Sequence, residues 1–419
     1  MAEHIARRLT APGPKRMLAL DGGGVRGMIT IGFLERIEEI LRQRHGRRDY
    51  VLADYFDMIG GTSVGSILAT LLALGWPVAA VRREFCDAAD DIFRRSPTRW
   101  GILAPRFSNR RLERRIRARL HDERRGDMRL DSDRLRTGLA IVAKRADTGS
   151  PWVVYNNPSN KYWDDRYDGK GKRTIGNRHY RVADLVRAST AAPSYFDPHT
   201  IEIHEDTKAD GAKGVFVDGG VSPYNDPSLL MFMMAGVRGY RLGGTEAVFD
   251  EANRPVVRGI PWQLGHDKLL IISVGAGDYR IRTASARGKP ALLFAGRALL
   301  GMTSDAQAMT LKTMQWLANP NKAWTVNREV DDLRWENLGE LLGAPRRFLS
   351  YARYNVKLEH DWLVKKLGIK RLSDRRLRSL QKLDDPFNIY DYQFLARRAA
   401  AHQVTPDDFP WQFDNHKFG

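Results

Sequence analysis

Hydrophobic positions in the first eighty residues follow two alternating periods. An apolar run predicts a buried strand over 16–20, glycines predict a loop over 22–27, and 28–44 predicts a helix with Ile31, Leu34, Ile37 and Leu41 on its core face. Gly46 is placed to close that helix. The pattern then repeats: 55–59 predicts a strand, 61–65 a sharp turn, and 64–74 a helix that stops at Gly75 ahead of Pro77. Further strands are predicted at 139–143, 152–155, 214–217 and 269–274, with a helix near 182–188. Such alternation predicts a mainly parallel sheet covered by helices, with functional loops at the strand ends.

Two segments break the rhythm. Residues 156–181 are polar, bear tyrosines and are rich in Asp, Gly and Lys, which predicts an exposed, mobile insertion. From Met302 onward the pattern turns predominantly helical, with Trp316, Trp324, Trp335 and Trp362 marking packed positions and no evident linker. The expected organisation is an α/β domain over 16–300, its motifs within 16–230, carrying a helical extension over 301–419. Residues 58–81 contain no charge and are long enough to cross a bilayer. Their glycines, serines and Pro77 argue instead for buried core.

Composition narrows the setting. The single cysteine, Cys86, allows no intrachain disulfide, and no Cys/His cluster has zinc-ligand spacing, so no zinc site is expected; no cofactor is expected either. The basic first sixteen residues lead into too short an apolar run for a signal peptide, and a cytoplasmic protein is expected, either free or peripheral on the inner face of the membrane. A net charge of +18 predicts anionic partners. The densest region is 94–129, where Leu112, Ile116 and Leu120 form one stripe amid arginines. That helix either lies on an anionic membrane or docks a narrow apolar edge on the core. Nucleic acid is not expected, because no zinc finger, RNA-recognition signature or heptad-linked basic region occurs.

Chemistry concentrates at three glycine-rich turns. Gly61-Thr62-Ser63-Val64-Gly65 fits Gly-x-Ser-x-Gly between a strand and a helix, which makes Ser63 a candidate nucleophile facing a helix N-terminus. Gly61 and Gly65 leave room for neighbouring elements at so sharp a turn. In Asp21-Gly22-Gly23-Gly24-Val25-Arg26-Gly27 the amides can face a concavity and hold an anion, with Arg26 adding positive charge. Gly22 to Gly27 also fits the Gly-x-Gly-x-x-Gly dinucleotide fingerprint. That alternative needs an acid about 20 residues on at a strand end. Glu38 and Glu39 have the distance but fall inside a predicted helix. Asp218-Gly219-Gly220 puts a carboxylate at a strand end, where it could act as a base if its pKa is raised, or simply cap a turn. His266, His199 and His204 lack a local signature for that role.

The three ordered motifs, with Ala188-Ser189-Thr190-Ala191-Ala192-Pro193-Ser194-Tyr195-Phe196 ahead of the third, resemble the patatin-like phospholipase family over about 16–230. Ser273 to Gly277 and Asp384-Asp385-Pro386 are compatible with bacterial members without being diagnostic. The resemblance implies a three-layer α/β/α sandwich with a mainly parallel central sheet. It also implies hydrolysis of acyl esters of membrane phospholipids by a Ser63–Asp218 dyad without histidine or metal, with Gly22, Gly23, Gly24 and Arg26 forming the oxyanion hole. The polar insertion and the C-terminal part leave room for a regulatory partner or small-molecule activator, as in a regulated effector.

Overall fold

A computed structural model describes residues 3–92, 107–122, 126–167, 169, 171–205, 212–236, 262–280, 291–320 and 347–414. Its centre is a nine-stranded sheet. In chain order the strands are β1 (Lys15–Leu20), β2 (Met58–Thr62), β3 (Gly138–Arg145), β4 (Pro151–Tyr155), β5 (His199–Glu202), β6 (Lys213–Asp218), β7 (Leu269–Val274), β8 (Ala318–Pro320) and β9 (Leu349–Tyr354). Across the sheet they run β8-β9-β7-β1-β2-β3-β6-β5, with β4 also on β3. Pairing from β8 through β3 is parallel throughout. Strands β4, β5 and β6 join antiparallel. The expected mainly parallel α/β architecture is present.

Continuous apolar runs in β1 and β7 follow from this placement, since both strands are buried along their full length between helices. The helices, in chain order, are α1 (Glu3–Thr10), α2 (Gly27–His45), α3 (Leu52–Tyr55), α4 (Val64–Ala73), α5 (Val78–Ile92), α6 (Asn109–Leu120), α7 (Val182–Ser189), α8 (Ser228–Gly236), α9 (Ala291–Leu317), α10 (His360–Leu367), α11 (Asp374–Leu380) and α12 (Ile389–Gln403). Helix α2 buries Ile31, Leu34, Ile37 and Leu41 as its period requires, and ends at Gly46 in the left-handed conformation. Against it packs α12, bringing the end of the chain onto the first helix.

Three expectations change, and the buried-core reading of residues 58–81 holds. Tyr55 closes the short helix α3, and the strand before Ser63 is Met58–Thr62, because the buried Asp57 carboxylate accepts hydrogen bonds from the Arg16 backbone and side chain and fixes where pairing starts. The uncharged 58–81 stretch divides into β2, α4 and the start of α5, and no described helix is long and apolar enough to cross a membrane. The described residues of 156–181 are anchored: Trp163 is buried, and Asn156 Oδ1 accepts the Leu139 N–H at 2.7 Å, while Tyr167 stays exposed. The C-terminal part is helical but also supplies β8 and β9 to the sheet edge. Trp316 and Trp362 are half-buried, and Trp324 and Trp335 lie outside the described residues.

Candidate active site

Strand β3 changes partners halfway along one edge. Val142 is the last residue paired with β2, opposite Thr62, and Ala143 is the first paired with β6, opposite Asp218. The ends of β2 and β6 therefore meet. Ser63 Oγ donates to Asp218 Oδ2 at 2.6 Å.

Each neighbour of this pair has a local cause. Ser63 follows β2 immediately and has φ +53°, a strained left-handed value for a residue with a Cβ, held by hydrogen bonds on both sides. Its N–H donates to Ser189 Oγ at 2.9 Å, and its carbonyl accepts from Ser66 Oγ at 2.6 Å. A Cβ on Gly61 would stand 2.0 Å from the Gly65 carbonyl oxygen, and one on Gly65 would stand 2.3 Å from the Leu20 carbonyl oxygen. Only glycine allows β1, β2 and α4 to meet this closely.

Asp218 is buried at the end of β6, and its Oδ1 accepts the Gly220 N–H at 2.6 Å. Burial pushes its pKa up to about 6, against the opposing pull of the hydrogen bonds from Ser63 and Gly220. Gly219 crosses so near Val142 that a Cβ would lie 2.4 Å from that carbonyl oxygen. The turn that carries Asp218 is thus seated on the strand that receives both β2 and β6.

The glycine loop faces the same space. Gly22 N–H donates to the Asn225 carbonyl at 3.2 Å, so it is engaged within the protein. Val25 N–H donates to the Leu383 carbonyl at 2.9 Å, whereas no acceptor for the Gly23 or Gly24 N–H occurs among the described residues. Arg26 is buried with its guanidinium 5.7 Å from the Tyr279 ring centroid, and its Nε and Nη1 have no hydrogen-bond acceptor among the described residues. Burial lowers its pKa below the usual arginine value.

Sequence reasoning missed the residues that hold the loop. Asp21 is clamped by Arg353 from β9, and Gln307 Nε2 of α9 donates to Asp21 Oδ2 at 2.7 Å. Nothing short of the fold connects Arg353 and Gln307 to Asp21, because neither belongs to a local motif.

Ser63, Asp218, the glycine loop and Arg26 line one chamber of about 1370 Å³. Its apolar part includes Ile67, Leu71, Phe85, Leu112, Ile116 and Leu120. The stripe of α6 therefore faces inward, and the membrane-lying alternative for that helix is corrected. Several of its arginines are paired as well, Arg115 with Asp91 and Arg117 with Asp127 and Asp184. Residues 93–106 and 123–125 of the basic region lie outside the described residues.

The alternatives to this grouping lose their supports. No histidine is among the described residues lining the chamber, and His266 is exposed. His199 and His204 lie beside Asp184 and Thr174. For dinucleotide binding, Glu38 sits within α2 and accepts the Val78 N–H, while Glu39 pairs on the surface with Arg36. No group of acidic, His or Cys side chains among the described residues could hold a metal ion.

A family model described as patatin-like phospholipase matches residues 18–230. A cGAMP-activated phospholipase of Escherichia coli (strain TW11681) is 34% identical over 222 residues, covering 51% of this chain and 54% of that one. Patatin-15 of Solanum tuberosum is 29% identical over 270 residues, covering 62% and 60%. The chain thus spans a little over half the length of these curated relatives. A structure of human GIVD cytosolic phospholipase A2 aligns with 99% of this chain and 62% of its own at 12% identity and a TM-score of 0.42. With the match extending across half of its residues, including all three glycine-rich turns, the chain belongs to the patatin-like phospholipase family.

Proposed function

We propose that this protein is a lipid acyl hydrolase that cleaves acyl esters of membrane phospholipids with Ser63 as nucleophile and Asp218 as base. The observation that carries this reading is the 2.6 Å hydrogen bond from Ser63 Oγ to a buried carboxylate inside an apolar chamber. A serine hydroxyl attacks poorly until its proton is taken, and a carboxylate raised to about 6 remains ionised at neutral pH while accepting that proton better than an ordinary Asp.

In the proposed sequence Ser63 Oγ bonds to the acyl carbonyl carbon as Asp218 Oδ2 takes its proton, and the carbonyl π electrons move onto oxygen. The N–H groups of Gly23 and Gly24 receive that oxyanion, with Arg26 adding charge, while Gly22 spaces the loop against Asn225. Each such donor is worth about 3 kcal/mol of barrier. Collapse breaks the ester C–O bond, and the leaving oxygen takes the proton from Asp218. Water then attacks the acyl-serine with Asp218 again as base, releasing the fatty acid and restoring Ser63. The acyl chain occupies the apolar part between α4, α5 and α6. The catalytic unit extends beyond residue 300, because Arg353 reaches the loop from β9.

Hydrolysis at a lipid surface suits a chain of charge +18, which would gather at anionic membranes as a peripheral protein. One relative's name specifies cGAMP activation. A small-molecule-activated effector is accordingly part of the proposal, tested by adding cGAMP to the purified protein on phospholipid vesicles. The dyad itself is tested with a fluorophosphonate probe and labelled phospholipid. Labelling at Ser63 and loss of turnover in Ser63→Ala are expected; undiminished turnover in that variant would falsify the dyad.

A further inference from the structure

Helix α12 is apolar on two faces. One face, Ile389, Tyr392, Leu395, Ala396 and Ala399, is buried against the body of the protein. Its opposite stripe is open to solvent: Tyr390 at 80% and Phe394 at 55% exposure stand four residues apart on one edge of α12, and Phe387 at 89% extends the row from the 3-10 turn Pro386–Asn388 just before the helix. Isolated exposed aromatics are ordinary on protein surfaces, but a row of three that no described residue covers marks a contact surface.

The row begins close to the entrance of the chamber. Arg378 and Lys382 are exposed and also line the chamber, which places them at its mouth, and the Leu383 carbonyl between mouth and glycine loop receives the Val25 N–H. Phe387 follows Asp384, another lining residue, by three positions, a reach of at most about 10 Å of extended chain. Arg376, paired with Asp391 and bonded to Asn388, links α11 to the start of the aromatic row. Another part of the mouth is formed by Met302, which is 66% exposed.

Charge identifies the occupant. Arg371, Arg375, Arg378 and Lys382 stand exposed on and beside α11, and Arg397 continues the aromatic stripe. A second copy of a chain of charge +18 would bring the same cations against themselves across a two-fold contact. An anionic bilayer complements both features, taking the aromatic rings at headgroup depth and the cations at its surface.

We propose that Phe387, Tyr390 and Phe394, with the cations of α11, form the face that seats this protein on anionic lipid and holds the mouth of the chamber against the bilayer. The inference rests on the hydrolase reading for its purpose, but the surface can be measured without it. It also replaces α6, whose apolar stripe is turned inward, as the docking helix.

The test is co-sedimentation of the full chain with vesicles of phosphatidylcholine containing phosphatidylglycerol. Phe387→Ser/Tyr390→Ser/Phe394→Ser should lower partition by at least about tenfold. Hydrolysis of p-nitrophenyl butyrate in solution and the melting temperature should be unchanged in that variant. Arg371→Glu/Arg375→Glu should weaken binding to these vesicles and leave binding to pure phosphatidylcholine as it was. Undiminished partition of the triple variant overturns the proposal, as does a parallel loss of soluble-ester hydrolysis and melting temperature, which marks the stripe as structural. A wild-type dimer that the triple substitution dissociates overturns it in favour of self-association. Should wild type bind vesicles through this face yet hydrolyse no ester either with or without cGAMP, the hydrolase reading fails and the surface stands.

Discussion

Arg353 holds Asp21 in a two-pronged ion pair, Nη1 to Oδ1 at 2.6 Å and Nη2 to Oδ2 at 2.5 Å, with both side chains buried. The pair joins the far side of the sheet to the first residue of the glycine loop, and Arg353 Nη1 also reaches Asp226 Oδ2 at 3.3 Å. Removing one partner strands a buried charge, which costs about 3–5 kcal/mol. Arg353→Met should lose about that much by denaturant titration and, in the protein that remains folded, lower kcat more than it raises KM. Arg353→Met combined with Asp21→Asn should recover part of the stability.

Asp218 sets a pH dependence of unusual sign. Its native pKa, raised by burial from the ordinary carboxylate range to about 6, means that the folded state holds the proton more tightly than the unfolded chain. Stability therefore falls as pH rises through that window and stays lower above it, by up to about 3 kcal/mol. Asp218→Asn should melt higher than wild type at about pH 8, and the gap should close toward about pH 4. Hydrolysis moves the other way: wild-type rates should drop about tenfold per pH unit below about 6, and the Asn variant should be inactive throughout.

Two glycines separate steric from conformational roles. Gly65→Ala would set a Cβ 2.3 Å from the Leu20 carbonyl oxygen and 2.7 Å from that of Asp21, forcing α4 away from β1. We expect a loss of about 3 kcal/mol with a large fall in activity. Gly46 has φ +62° with open space around its missing Cβ. There Ala should cost about 1 kcal/mol and leave kcat alone.

Chamber size should set acyl preference. Ile116 lines the apolar part of the chamber, and Ile116→Trp fills volume that a long chain would occupy. Expected is a fall of about tenfold in kcat/KM on long-chain esters with short-chain esters unaffected, read from a chain-length series. Equal losses at every length would remove the acyl-chain role of α6.

Local devices were legible because their causes are local. The run before Asp21, the glycine turn, the period of α2 and its stop at Gly46 each follow from backbone sterics or amphipathic spacing within a few residues. The Leu112, Ile116 and Leu120 stripe was legible as a stripe only, since a helix edge facing an internal chamber has the same period as one facing a bilayer. Arg353 was illegible in its role: a charged residue in a strand 332 positions from its partner carries no spacing signal. The aromatic row of α12 escaped for a related reason, as exposure cannot be told from burial when both faces of a helix are apolar.

From the chain alone came the three turns, each able to present one chemical group, and the alternating α/β pattern that sets them at strand ends. That β3 exchanges β2 for β6 between Val142 and Ala143, and so brings Ser63 onto Asp218 across 155 residues, was decided only in three dimensions. Turn geometry depends on a few neighbouring dihedrals. The meeting of two strand ends depends on long-range pairing, whose register emerges only once the whole sheet has closed its hydrogen bonds and buried its faces.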